Sequence, residues 1–191
     1  MSTELVNRAT RRAAGTTIRF VQISRKLRMI FRPSRGRISM LLVSLVAQFI
    51  PSFAYALPTD GNVVAGQATV SQANASSMQI NQASTQAVIN WGTFNVGSGE
   101  SVRFIQPSAS SVTLNQVLGG SMSQIYGSIT ANGRIVLTNP SGVLFSAGAQ
   151  VDTAGLIAST MSMNKDDFMA GHYVFQGGAG SGSVVNQGTI R

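Results

Sequence analysis

Short apolar runs separated by small polar turns dominate the second half of the chain. Between residues 132 and 160 three such runs, 135–137, 143–145 and 156–158, alternate with turns rich in glycine and asparagine. Each run is too short for a helix buried on all sides, whereas β-branched residues punctuated by Asn-Gly and Pro-Ser-Gly are typical of strands meeting at tight corners. The pattern predicts an all-β fold.

The same alternation extends upstream to residue 57. Charged residues make up only 10% of the chain and glycine numbers 20, which suits many short strands and leaves little amphipathic helix. Periodicity alone fits two architectures, a parallel β-helix and an antiparallel sandwich or jelly roll. The strands are predicted at 63–66, 78–81, 87–91, 94–96, 100–106 and 111–117.

Two segments indicate an internal period. S-I-T-A-N-G-R-I at 128–135 and S-V-V-N-Q-G-T-I at 183–190 share an apolar pair, an Asn, a Gly and a final Ile. In a β-helix such units would stack with asparagines at the corners, and about 20 or more residues per coil predict roughly five or six coils for 57–191. The stretch 57–82 is predicted to form an amino-terminal cap.

The basic charge of the chain is concentrated at its amino terminus. Ten of the 14 Lys and Arg residues precede Ile38, so the net charge of +8 becomes −1 for the part after Ala56. No basic surface is therefore expected in the folded part, and we predict no nucleic-acid partner.

An apolar run at 38–50 follows the basic stretch and is shorter than the roughly 20 residues of a membrane span. Ala54 and Ala56 then place small side chains where signal peptidase requires them. We predict a signal peptide over 1–56, with a basic region at 1–37, cleavage after Ala56 and a domain at 57–191. An uncleaved membrane anchor is the alternative, and initiation at Met29 rather than Met1 would give a signal of ordinary length.

Few residues in the chain have side chains that suggest catalysis or metal binding. There is no cysteine, and the single histidine, His172, lies near Asp166 and Asp167. A metal or acid–base site would need more convergent ligands than this segment offers, so we interpret 161–173 as a loop between coils with Phe168 and Met169 covering the core. We predict no enzyme activity, metal or cofactor, and we place Trp91 in the core or cap.

The segment N-P-S-G-V at 139–143, followed by L-F-S-A-G-A-Q-V and G-L-I-A-S-T, resembles the N-P-N-G-I signature of a known family. This is the amino-terminal secretion domain of two-partner secretion exoproteins of the filamentous haemagglutinin type. The resemblance runs back through 117–129 to residue 57. Two positions depart from the pattern: Ser141 replaces an Asn, and Q-P-S-A at 106–109 stands where N-P-N-L is expected.

The resemblance implies a right-handed parallel β-helix with an amino-terminal cap, carried by a non-enzymatic secretion-targeting domain. A cognate outer-membrane barrel transporter with periplasmic domains would recognise the unfolded chain, after the general export machinery and signal peptidase, and β-helix folding would be nucleated at the cell surface. The product would be secreted from, or displayed on, a Gram-negative bacterium. The recognition residues carried over from the family motif are Asn139, Pro140, Ser141, Gly142 and Val143.

Other interpretations of the motif and of the end of the chain are open. The five motif residues also suit a plain turn, in which Gly142 is expected to need a positive φ. The alternative function is a short adhesin that binds a glycan or host surface through the side of the helix, and we predict no small-molecule substrate. An apolar final coil with Val184, Val185 and Ile190 predicts the front of a longer or truncated protein, whose activity could be adhesion, contact-dependent toxin delivery or haemolysis.

Overall fold

The computed structural model describes residues 57–177 and 182–191, and the signal peptide predicted at 1–56 lies outside them. Short strands dominate this part of the chain, with one short helix near its end. The strands are β1 (Asn62–Asn74), β2 (Ser77–Trp91), β3 (Ser101–Ile105), β4 (Val112–Val117), β5 (Ser123–Ile125), β6 (Ser128–Ala131), β7 (Arg134–Thr138), β8 (Val143–Phe145), β9 (Gln150–Asp152), β10 (Gly155–Ser159), β11 (Ser162–Met163), β12 (Phe175–Gln176), β13 (Val184–Asn186) and β14 (Thr189–Ile190), and the helix is α1 (Lys165–Met169).

The strands wind into a parallel β-helix with three faces. The first face pairs the amino-terminal half of β2 with β3, β6, β9 and β14 in that order. The second pairs the other half of β2 with β4, β7 and β10, and the third pairs β5, β8 and β13. This parallel pairing confirms the β-helix and excludes the antiparallel sandwich.

The stack has about three turns, so the prediction of five or six coils was wrong. Two segments lie outside the coils. β1 runs antiparallel to β2 over 13 residues, and the chain leaves the stack after β10 to form β11, α1 and β12 before β13 returns to pair with β8. A fixed number of residues per coil does not allow for such excursions.

The predicted internal repeat also differs from the structural one. Residues 128–135 span the corner from β6 to β7, whereas 183–190 span the corner from β13 to β14. Ser128 is in register with Gln150 of the next coil, and Val184 with Val143. The two similar segments therefore occupy different corners of the coil.

Aligned apolar side chains fill the interior. Parallel pairing places Val102 beside Ile129 and Ile129 beside Val151, and all three are almost completely buried. Burying one such side chain contributes roughly 1.5–3 kcal/mol, so each column stabilises several coils at once.

Trp91 packs in this interior, as predicted. Its side chain is 1% exposed and meets Phe94 edge-to-face with ring centroids 5.4 Å apart. Its indole Nε1 donates a hydrogen bond of 3.0 Å to Oδ1 of Asn115, a buried asparagine of the next coil. The polar atom of the ring is thus satisfied inside the core, which burial of an indole requires.

The amino-terminal cap ends in β1, which forms a β-hairpin with β2 of the first coil. β1 covers the first coil by pairing with β2, and Val63, Ala68 and Val70 pack against the interior. A cap was predicted over 57–82, but from Ser77 onwards the chain already pairs in parallel with β3. The cap therefore ends at the turn before β2.

The excursion after β10 packs against the outside of the second face. Phe168 is fully buried and Met169 packs against the same cluster, as predicted, although α1 was not expected there. No helix in the described ranges is long and apolar enough to cross a membrane.

Candidate functional site

Residues 139–143 form the turn that leads from β7 to β8. The N–H of Gly142 donates to the carbonyl of Asn139 at 2.9 Å. The N–H of Ser141 donates to Asn139 Oδ1, also at 2.9 Å. The Asn139 side chain therefore closes the turn by accepting a hydrogen bond from the backbone N–H two residues further on. Asn and Asp side chains commonly do this in turns.

Asn139 also joins three successive coils. Its side chain is completely buried. Nδ2 donates to the Ser121 carbonyl at 3.0 Å and to Ser123 Oγ at 2.9 Å, both in the preceding coil. Its backbone N–H donates to the Ser159 carbonyl at 2.9 Å in the following coil. Every polar group of this amide thus has a partner, so its removal would leave buried groups unpaired.

Gly142 has φ +111°, as predicted from the turn chemistry. Its fit is also tight, since a Cβ atom there would lie 2.9 Å from the Ser183 carbonyl oxygen. The N–H of Val143, which is fully buried, donates to that same carbonyl at 2.9 Å. Only glycine combines this backbone conformation with this close approach.

The next coil lies directly over the turn. A Cβ atom at Gly182 would be 2.3 Å from the Gly142 nitrogen, and the Gly182 N–H donates to the Pro140 carbonyl at 3.3 Å. Of the five motif residues only Pro140 and Ser141 are half-buried, and the others are buried. In the folded domain the motif presents two residues at most to a partner.

Asparagines occupy other corners as well. Asn132 exchanges two hydrogen bonds of 2.7 Å with the Gln106 backbone, one coil earlier, through Oδ1 and Nδ2. The Oδ1 of Asn95 accepts from the N–H of Gln124 at 2.8 Å. Corner asparagines that satisfy neighbouring backbone were predicted from the sequence. Joining coils is therefore not a property of the motif asparagine alone.

The Gln106 side chain itself was missed by sequence reasoning. It is buried, and Nε2 donates to Thr113 Oγ1 at 3.1 Å and to the Arg134 carbonyl at 3.2 Å. In the sequence it stands in the Q-P-S-A segment that departs from the family pattern. Its amide forms a second link between coils, at a different corner from Asn139.

The residues considered for chemistry do not form a site. His172 and Asp166 are exposed, and Asp166 pairs with Lys165 at 3.2 Å at the surface. Within 57–177 and 182–191 no group of three or more His, Cys, Asp or Glu side chains is placed to hold a metal. Ala54 and Ala56, predicted for signal peptidase, lie outside the described residues.

Comparison with known proteins identifies the family. A family model described as TPS secretion domain matches residues 54–191. The chain belongs to this family. TPS secretion domains are non-enzymatic domains of two-partner secretion exoproteins, which leave Gram-negative bacteria through outer-membrane transporters.

Two curated relatives are heme/hemopexin-binding proteins of Haemophilus influenzae. One is 36% identical over 131 residues, covering 69% of this chain and 14% of that protein. The other, from strain Rd, is 38% identical over 128 residues, covering 67% and 14%. The chain thus spans about a seventh of the length of these relatives.

The fold resembles a solved secretion domain. The HMW1 secretion domain from Haemophilus influenzae superposes with a TM-score of 0.66 at 30% identity. The match covers 70% of this chain and 36% of that one. It supports the parallel β-helix already described.

Proposed function

We propose that residues 57–191 direct secretion of an exoprotein by presenting the 139–143 turn to a cognate outer-membrane transporter before the domain folds. The observation that carries this proposal is the complete burial of Asn139, whose side-chain amide bonds to the preceding coil. A motif that is buried on folding is accessible as a whole only in the unfolded chain. Recognition and folding would therefore use the same residues at different times.

Folding after recognition would also favour export. Once the chain has crossed, Asn139 and Gly142 join successive coils of the β-helix, and the motif is withdrawn from the transporter. A domain that binds its transporter only while unfolded would be released when it folds. This agrees with the absence of cysteine, because no disulfide can hold the chain folded in the oxidising periplasm.

The amino-terminal 56 residues would act earlier, as the signal peptide for the general export machinery. Signal peptidase would cleave after Ala56, since Ala54 and Ala56 supply the small side chains it requires. The mature protein would then begin at Leu57. Because the chain spans about a seventh of its relatives' length, we propose that its domain serves as the front part of a longer product.

The test compares Asn139→Ala with Asn132→Ala in a secretion assay. Both asparagines bridge consecutive coils with two or more side-chain hydrogen bonds. Only Asn139 lies in the motif. We expect Asn139→Ala to destabilise the folded domain by about 1–3 kcal/mol, because it leaves buried groups unpaired. Asn132→Ala should destabilise it less, because Asn132 is exposed and water can replace its hydrogen bonds.

The two variants should differ in the amount of protein that is secreted. We expect Asn139→Ala to remain in the periplasm, while Asn132→Ala is secreted at close to the level of the unsubstituted chain. Secretion is quantified from culture medium, and stability from thermal melts of protein refolded from denaturant. If the secreted amounts of both variants fall in proportion to their melting temperatures, Asn139 is purely structural and the recognition proposal is wrong.

A further inference from the structure

A buried apolar column lies on the outside of the second face. Val88, Leu114 and Val136 are in register on β2, β4 and β7, and their side chains are between 0% and 3% exposed. They belong to a cluster separate from the helix interior. Outward positions of a solenoid face solvent unless another element covers them. Other parts of the chain must therefore cover this column over three successive coils.

Val64 and Ala65 of β1 cover part of this column, and the segment 162–176, which we call the clasp, covers it as well. The clasp comprises β11, α1 and β12, and β11 pairs antiparallel with β12 through Met163 and Phe175. Phe168 is completely buried and Met163 is 3% exposed, both in the cluster of the outer column. The clasp follows β10 in sequence, yet its core residues pack on β2, β4 and β7, which lie in the coils before β10.

Two glutamine side chains fix the clasp to those coils. Gln86 Nε2, on β2, donates to the Phe168 carbonyl at 2.9 Å across 82 residues of sequence. Gln116 Nε2, on β4, donates to the Met163 carbonyl at 2.6 Å across 47 residues. Each of these hydrogen bonds joins one glutamine side chain to one backbone carbonyl of the clasp, and together they fix where the clasp docks on the coils.

The clasp helix has a defined beginning and end although it is short. Asn164 Oδ1 accepts from the N–H groups of Asp166 and Asp167 at 2.7 and 3.2 Å, which caps the first turn. At the other end Gly171 has φ +82°, and the N–H groups of Gly171 and His172 donate to the Phe168 and Asp167 carbonyls. This is a Schellman arrangement. The ends hold Phe168 in a fixed orientation toward the column.

We propose that the clasp locks the first coil of the β-helix to the coil that contains β10, so that the domain becomes stable as one unit only when the clasp docks. A simple solenoid couples each coil to its neighbours alone, and its coils can open one by one. The clasp adds a direct connection from the coil of β10 to β2. For a chain secreted as proposed above, residue 176 would have to emerge before the first coil is closed.

Hydrogen exchange of the full 191-residue chain tests this inference. The first variant is Phe168→Ala, and its control is Met161→Ala, an exposed apolar side chain just before the clasp. Removing a buried phenylalanine side chain destabilises the packing around it. The equilibrium constant for local opening should therefore rise about 100-fold or more. We therefore expect the amides of 86–91 to lose about 100-fold in protection in Phe168→Ala and less than about threefold in Met161→Ala.

A reciprocal variant keeps the test decisive if Phe168→Ala does not fold. Gln86→Leu removes one donor from β2. Its control is Gln79→Leu, a position on the same strand that is half-buried like Gln86 and whose Nε2 donates to Asn81 Oδ1 instead of to the clasp. We expect exchange of the 165–169 amides to rise about tenfold in Gln86→Leu and to stay unchanged in Gln79→Leu.

The contrary result is local loosening. If Phe168→Ala raises exchange only within 162–176 and leaves 86–91 as protected as before, the clasp is an ordinary surface excursion. If Gln86→Leu leaves the helix amides unaffected, the two coils are not coupled through it. Either outcome overturns the inference, and neither bears on whether the 139–143 turn is recognised by a transporter.

Discussion

Gly142→Ala should destabilise the domain more than Gly99→Ala or Gly120→Ala, because the added Cβ atom both strains the backbone and meets the next coil. The added Cβ requires an L residue at φ +111°, which costs about 1–3 kcal/mol. It would also lie 2.9 Å from the Ser183 carbonyl oxygen and 3.3 Å from its nitrogen, so the backbone of the next coil must move. Overpacking of this kind costs roughly 1–3 kcal/mol. Together we expect a loss of about 3 kcal/mol.

Two other glycines separate the costs. Gly99 has φ +79° but nothing within 4 Å of its Cβ position, so Gly99→Ala carries only the backbone cost, about 1 kcal/mol. Gly120 has an ordinary φ and open space, so Gly120→Ala should be neutral or stabilising by up to about 1 kcal/mol. The predicted order of destabilisation is Gly142→Ala, then Gly99→Ala, then Gly120→Ala.

The assay is urea unfolding followed by the fluorescence of Trp91, the single tryptophan, which lies buried in the first coil. If Gly142→Ala costs no more than Gly99→Ala, the close packing of the next coil on the turn contributes nothing. If it resembles Gly120→Ala, the turn relaxes freely, and the argument for glycine at this position is wrong.

Three further predictions concern other parts of the chain. Trp91→Phe removes the indole donor and leaves an interior amide oxygen unpaired, so the unfolding free energy should fall by about 1–3 kcal/mol in the same urea assay. Ile129→Ala should cost about 2–5 kcal/mol, whereas Ile190→Ala, two coils on in the same register and 41% exposed, should cost under about 1 kcal/mol in thermal melts. Amino-terminal sequencing of the secreted product should begin at Leu57, and Ala56→Arg should block that processing, visible as a larger species on a gel.

The strands of the β-helix were predictable because each coil buries one side of a short strand. Alternation along 100–106 and 111–117 corresponds to β3 and β4. The turn at Asn139 and the positive φ of Gly142 were predictable from turn chemistry, since few residues tolerate that conformation. Local rules suffice where the decisive contacts are close in sequence.

The clasp helix was missed because its amphipathic pattern is only five residues long. Asn164 before two aspartates, and Gly171 after the helix, are the cap signals that could have indicated it. Its docking could not be predicted, because it depends on contacts such as Gln86 to Phe168 that cross 82 residues. The hydrogen bond from Gln106 to the next coil could not be predicted for the same reason, because the sequence does not show which strand lies beside Gln106.

The most direct test of the account is to close the fold covalently before export. Thr130 and Asp152 are exposed register partners on neighbouring strands, where Cα atoms about 5 Å apart can carry a disulfide. Since the chain has no cysteine, Thr130→Cys with Asp152→Cys introduces a single possible disulfide within one molecule, and each single variant is a control. Secretion is measured through the transporter that exports the unsubstituted chain. We expect the oxidised double variant to stay in the periplasm, and we expect normal secretion of either single variant and of the double variant after addition of a reductant. Appearance of the oxidised double variant outside the cell at the normal rate would contradict recognition of an unfolded chain.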